Sequence, residues 1–173
     1  MSRDRGGRPP ALPAAPGAGA RIEEALRAGA EACAGTALSA LLSRDAAQRI
    51  TAEVARVERR LAELDAHRLA RDVAEAERRV AALEAAGGAG RGLATARLKL
   101  VSVRRLVALR ERDAQTLDEL ADLAQALRDQ LLLARLDGSS AQGVGGIVSE
   151  VWARVEGLGA AMDAQAEASE TSV

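Results

Sequence analysis

The sequence has no phenylalanine, tyrosine or asparagine. It has one residue each of tryptophan (Trp152), histidine (His67), cysteine (Cys33) and lysine (Lys99). Each scarcity excludes something. A single cysteine forms no intramolecular disulfide and no thiol metal cluster. A single histidine leaves no His-rich metal site, and a Ser–His or Cys–His nucleophile would need His67 beside a serine or Cys33. No run approaches the roughly 18 apolar residues that cross a bilayer. The N-terminal arginines are followed by no continuous apolar core, so no secretory signal is read. A cytoplasmic protein without a membrane partner is expected. The use of arginine in place of lysine, with no asparagine, reads as coding bias of a GC-rich, bacterial kind of genome.

Proline is confined to Pro9, Pro10, Pro13 and Pro16. Residues 1–20, rich in Pro, Gly and Ala, are expected to be a disordered tail. Pro10-x-x-Pro13 and Pro13-x-x-Pro16 match a PxxP ligand but lack the flanking base that sets its orientation. Everything after Pro16 is free to form long helices, because no residue there lacks a backbone N–H.

What is abundant is alanine, leucine and valine. Alanine and leucine are the strongest helix formers. An interior without aromatics packs in thin layers, which suits helix-on-helix seams. The expected fold is all-α.

Four helices can be read. The first covers residues 21–42, with Ile22, Leu26, Cys33, Leu38, Leu41 and Leu42 along one side and Gly29 and Gly35 interrupting. The second covers 44–86 behind a Ser43 N-cap, with Asp45 in its first turn. Its seam Ile50, Val54, Val57, Leu61, Leu64 alternates spacings of four and three. Leu69, Val73, Ala76, Val80 and Leu83 resume the alternation one to two residues out of phase. The slip falls at Asp65-Ala66-His67-Arg68 and marks altered supercoiling or an exchange of neighbours. Gly87 is placed to end this helix in a left-handed conformation. The third helix, 93–136, has a wide apolar face that broadens to Leu131-Leu132-Leu133, so it needs more than one neighbour. The fourth, 144–165, carries Val144, Val148, Val151, Val155, Leu158 and Met162. Residues 166–173 are read as an acidic tail.

The lengths dictate an architecture. The second and third helices span about 60–65 Å each and the outer two about 30–35 Å. Short connections force antiparallel neighbours. Both short helices therefore fold back onto the end of the hairpin opposite the turn Gly87-Gly88-Ala89-Gly90-Arg91-Gly92. The expectation is a four-helix base over 21–165 carrying a two-helix coiled-coil stalk at about 65–115, with its tip at 87–92.

Net charge is −1, but it is unevenly placed. Residues 68–112 hold 11 Arg/Lys against 5 Asp/Glu, whereas 113–173 hold 3 Arg against 11 Asp/Glu. The basic segment coincides with the stalk. Arg97 and Arg104 are seven apart, as are Arg105 and Arg112, so each pair shares a helix face. Arg78, Arg79 and Arg91 add charge on the opposing helix and tip. The bland alternative is a solvated coil in which Glu75, Glu77, Glu84 and Glu111 neutralise these arginines.

No motif carries catalysis. The glycine turn follows a helix and lacks the Gly-Lys-Ser/Thr ending of a phosphate loop. Gly138-Ser139-Ser140 has no base beside it. Glu119-x-x-Asp122 resembles half of the paired-acid pattern of all-α nucleotide pyrophosphohydrolases, but residues 85–110 hold no acid to complete it. No enzyme, cofactor, metal or small-molecule substrate is expected. The sequence points to a coiled-coil adaptor or scaffold that binds a protein partner or a second copy. The surface residues singled out are Arg78, Arg79, Arg91, Arg97, Arg104 and Arg105, together with Trp152, read first as a core anchor and otherwise as an interface hot spot. The second reading is a nucleic-acid-associated protein tracking phosphates with the basic arm, disfavoured by the absence of aromatics to stack on bases.

Overall fold

The computed structural model describes residues 17–36, 39, 42–87, 90–137 and 142–170; for 142, 143, 158 and 161–170 the backbone alone is described. Of the expected tails, 1–20 and 166–173, residues 1–16 and 171–173 lie outside this set, while 18–20 and 166–170 are helical. The side chains of Leu38, Leu41, Leu158 and Met162 also lie outside it, as do Gly88, Ala89 and residues 138–141. Within it the chain is all-helical: α1 (Ala18–Cys33), α2 (Arg44–Ala66), α3 (Leu69–Ala85), α4 (Arg91–Asp137) and α5 (Gln142–Glu170).

The axis of the molecule is α4, 47 residues in one uninterrupted helix and so about 70 Å long. Along its first half α3 packs antiparallel, forming the arm. Along its second half α1 and α5 pack against it. Each of them also touches α2, so α1 and α5 sit either side of the α2–α4 pair and complete a four-helix base.

The base holds the core. Ile22 and Leu26 of α1, Val54 and Val57 of α2, Leu120 and Leu131 of α4, and Val144 and Val151 of α5 belong to one buried cluster. Burying each such side chain is worth about 1.5–3 kcal/mol. The arm buries little: among the described residues only Leu69, Ala76 and Ala96 are fully shielded there. Base and arm thus differ in packing as well as in charge.

Three boundaries differ from the sequence reading. The expected second helix is two. At the phase slip, α2 ends on His67, whose backbone is extended (φ −82, ψ 138), and α3 restarts at Leu69. An unbroken helix would carry Leu69 and Val73 round to the wrong face; the break re-phases them onto α4. The first helix stops at Cys33 instead of 42, because Gly35 takes φ +75 and the chain turns. The last runs to Glu170, five residues past the expected end, through alanine-rich sequence that favours helix.

Other local readings hold. The Ser43 hydroxyl accepts from Ala46 N at 3.1 Å. Gly87 takes φ +68 behind α3. Gly29 stays inside α1 and lets two helices approach: a Cβ there would lie 3.1 Å from Leu131 Cδ1 and 3.8 Å from the Arg128 Cα on α4. The N-terminus of α1 is capped from another helix, Gly19 N donating to the Glu58 carboxylate at 3.1 Å, where the positive end of the α1 dipole favours a negative charge.

Candidate interaction surface on the arm

The register of the arm is recorded in two ion pairs. Arg97 donates to Glu84 at 2.7 Å and Arg104 to Glu77 at 2.8 Å. The pairs are seven residues apart on both helices, so they lie along one edge of the arm, where acid and base alternate and cancel. Both are solvent-exposed and individually worth well under about 1 kcal/mol. Their consequence is for charge distribution.

The opposite edge is different. A groove of about 790 Å³ runs between α3 and α4 near the tip, lined by Arg78, Arg79, Arg91 and Lys99 with Glu75, Thr95 and Gly92. Among the described residues, none of these four cations has a carboxylate within ion-pair distance. Four positive charges therefore share a concave edge with one carboxylate. Helix dipoles add little here, since the C-terminus of α3 and the N-terminus of α4 lie at the same tip and oppose one another.

The structure thus sorts the six arginines singled out from sequence. Arg78, Arg79 and Arg91 converge on the groove. Arg97 and Arg104 are neutralised on the other edge. Arg105 faces outward on α4, exposed, with no ion-pair partner among the described residues. Trp152 is elsewhere, half-buried on α5 against the base core. Lys99 was missed, although Gly92, Thr95 and Lys99 recur at helical spacing and so share an edge.

A second missed residue closes the arm onto the base. Asp113 is 1% exposed, and its carboxylate meets the Arg60 guanidinium of α2 at 2.5 Å. A cleft of about 250 Å³ lined by Arg112, Thr116 and Arg154 opens beside them. The signal was in the spacing: Asp113 continues the seam Leu117, Leu120, Ala124, Leu127, Leu131 upward by one step of four. One turn away, Arg110 donates to Asp65 at the end of α2, and the carboxylate pushes the Arg110 pKa up. These contacts fix where the hairpin parts from the bundle.

The acidic patch is engaged within the base. Arg21 of α1 meets Asp118 at 2.5 Å and Asp122 at 3.6 Å, and Arg154 of α5 meets Glu119 at 2.7 Å. Cys33 is buried, and burial pushes its thiol pKa up. Among the described residues no helix is long and apolar enough to cross a membrane. No protein-family model matches the chain, and no curated protein or solved structure matches it.

Proposed function

We propose that this protein is a non-catalytic adaptor or scaffold whose arm docks onto an acidic surface of a protein partner. The observation that carries the reading is the asymmetry of the arm: one edge cancels its own charge, while the other leaves Arg78, Arg79, Arg91 and Lys99 without carboxylate partners among the described residues. A basic edge on a thin projecting hairpin is available to a partner without disturbing the core. Cationic side chains on a concave surface attract and steer anionic partners. Nucleic acid is the competing ligand for the same edge.

The test compares labelled poly-glutamate with a labelled DNA duplex in a salt titration. Poly-glutamate is expected to bind wild type, to be lost on Arg78→Ala/Arg79→Ala/Arg91→Ala, and to be retained on Arg97→Ala/Arg104→Ala. Equal loss in both variants would remove the groove from the reading. Duplex binding that outcompetes poly-glutamate at physiological salt, with a log–log salt slope near −3 to −4 as about four neutralised phosphates require, would turn the assignment to nucleic acid.

A further inference from the structure

One stripe of α4 is left open along nearly its whole length. Positions that alternate steps of four and three from Ala94 to Leu136 form a heptad seam, and every one is exposed except half-buried Glu119. It lies between the faces that meet α1 and α5 on the base, and among the described residues those helices reach it only through Arg21 at Asp122 and Arg154 at Glu119. Its two ends are apolar: Leu98 and Val101 are 67% and 63% exposed on the arm, and Leu133 and Leu136 are 49% and 71% exposed on the base. Its middle is charged in blocks, with Arg105 and Arg112 followed by Glu119, Asp122 and Asp129.

We infer that this stripe is a self-complementary interface: two copies pair through α4 in antiparallel orientation, about a two-fold axis near Leu117. An antiparallel coiled coil sets each a-type position opposite a d-type position. One register then satisfies the whole stripe. Leu98 faces the partner's Leu136, and Val101 faces the partner's Leu133. Arg105 faces the partner's Asp129, and Arg112 faces the partner's Asp122. Between these layers Ala108 faces the partner's Ala126, and Gln115 meets the partner's Glu119 at the axis. Two-fold symmetry makes each layer twice.

The alternatives are worse for stated reasons. Parallel pairing stacks Arg105 on Arg105 and Asp122 on Asp122, and like charges across a seam oppose association. Slipping the antiparallel register by one heptad sets Leu98 against Asp129 in one direction and Glu119 against Asp122 in the other. Either slip leaves Leu136 facing an arginine, Arg91 or Arg105. Within one chain most charged positions are loosely held: Arg112 lies 3.6 Å from Asp113, Asp122 lies 3.6 Å from Arg21, and Asp129 accepts from Gln125 at 3.2 Å and lies 3.9 Å from Arg128. Glu119, at the axis, is the closely held one, meeting Arg154 at 2.7 Å and accepting from Gln115 at 2.9 Å. The long-range field agrees with the pairing, since it lays each basic arm along the other copy's acidic base.

The paired region, Leu98 to Leu136, is about 57 Å long. The pair is a rod with a tip groove toward each end, the two grooves about 65 Å apart. This names a second copy as one partner of the scaffold proposed above and rests on that reading for its purpose, but its measurement does not involve the groove. Arg78→Ala/Arg79→Ala/Arg91→Ala should leave the pairing intact, so either idea can fail alone.

The experiment is sedimentation velocity on the full chain, with helicity checked by circular dichroism. Wild type is expected to have the mass of two chains. Arg105→Asp places like charges in two symmetry-related layers and should raise the dimer dissociation constant roughly 10- to 30-fold. Adding Asp129→Arg to the same chain reverses both layers and should restore pairing to near the wild-type value. As a second readout, Leu98→Cys/Leu136→Cys in a Cys33→Ala background should oxidise to a covalent dimer, whereas Leu98→Cys alone should not, since the two copies of position 98 lie about 57 Å apart. A monomeric wild type at about 100 μM, a charge swap that fails to restore pairing, or a single-cysteine variant that crosslinks equally well would each overturn the inference.

Discussion

Asp113→Ala is expected to be the most damaging conservative-size change in the neck. Asp113 is 1% exposed and faces an Arg60 side chain that is itself only 16% exposed, with the charged atoms 2.5 Å apart. Arg112 is the other cation nearby, at 3.6 Å. Removing the carboxylate takes from the Arg60 guanidinium a buried counter-charge inside the α2–α4 contact. Loss of one partner from a buried pair costs about 3–5 kcal/mol. Arg60 lines the adjoining cleft and keeps some access to water, so a cost at or just below the bottom of that range is expected, about 2–3 kcal/mol. With a urea slope near 2 kcal/mol/M, the unfolding midpoint should fall by about 1–1.5 M. The companion variant is Arg60→Met/Asp113→Leu, which removes both charges and keeps the volume apolar. It should recover most of the loss, because apolar replacement of a buried pair is often neutral or better. An Asp113→Ala midpoint within about 0.2 M of wild type, or a double variant as unstable as the two single changes combined, would refute the view that this pair is desolvated and coupled.

Three further outcomes follow from the base. Gly29→Leu forces a side chain between α1 and α4, against Leu131 and the Arg128 backbone; overpacking of about 1–3 kcal/mol should outweigh the roughly 1 kcal/mol gained by removing a helical glycine, and a thermal melt should fall by several degrees. Cys33, buried and with its thiol pKa raised, should react with iodoacetamide at pH 8 about 100-fold more slowly in the native protein than in denaturant; comparable rates would place the thiol at the surface. Glu24 is held below the ordinary glutamate pKa by the hydrogen bond from Arg27 and then by its charge. Because the native pKa lies below the unfolded one, this contribution to α1 is complete above about pH 4.3 and disappears as pH falls through the native midpoint; a carboxyl NMR titration should show that midpoint low in wild type and ordinary in Arg27→Ala.

Much of this was open to reading because helices write their partners into short spacings. The apolar stripe through Leu120, Leu127 and Leu131 announced neighbours for the end of α4, and α1 and α5 are there. The broadening to Leu132 and Leu133 is not explained by them, since both side chains stay exposed. The phase slip at 65–68 marked the neck. What it did not reveal was a broken helix, since no glycine or proline interrupts Asp65-Ala66-His67-Arg68 and the weak helix propensity of Asp65 and His67 does not by itself end a helix. Gly29 and Gly35 looked alike in sequence. One stays in α1 at a close helix crossing and the other ends it at φ +75, a difference set by what packs against each.

The sequence by itself determined the class, the hairpin with its base and arm, and the polarity of the molecule. Abundant alanine and leucine, no proline after residue 16 and a heptad rhythm leave long helices as the way to bury apolar surface, and the charge blocks make the arm basic and the base acidic. Only the tertiary structure decided which charges remain unopposed. Counting residues gives an excess of positive charge in the arm, but the register of α3 against α4 spends Glu77 and Glu84 on Arg104 and Arg97 and leaves Arg78, Arg79, Arg91 and Lys99 in the groove. The same is true of Asp113, whose spacing marks the buried face but whose partner lies more than fifty residues earlier on α2. Ion pairs between helices depend on which residues stand opposite one another, and packing of the whole bundle sets that alignment.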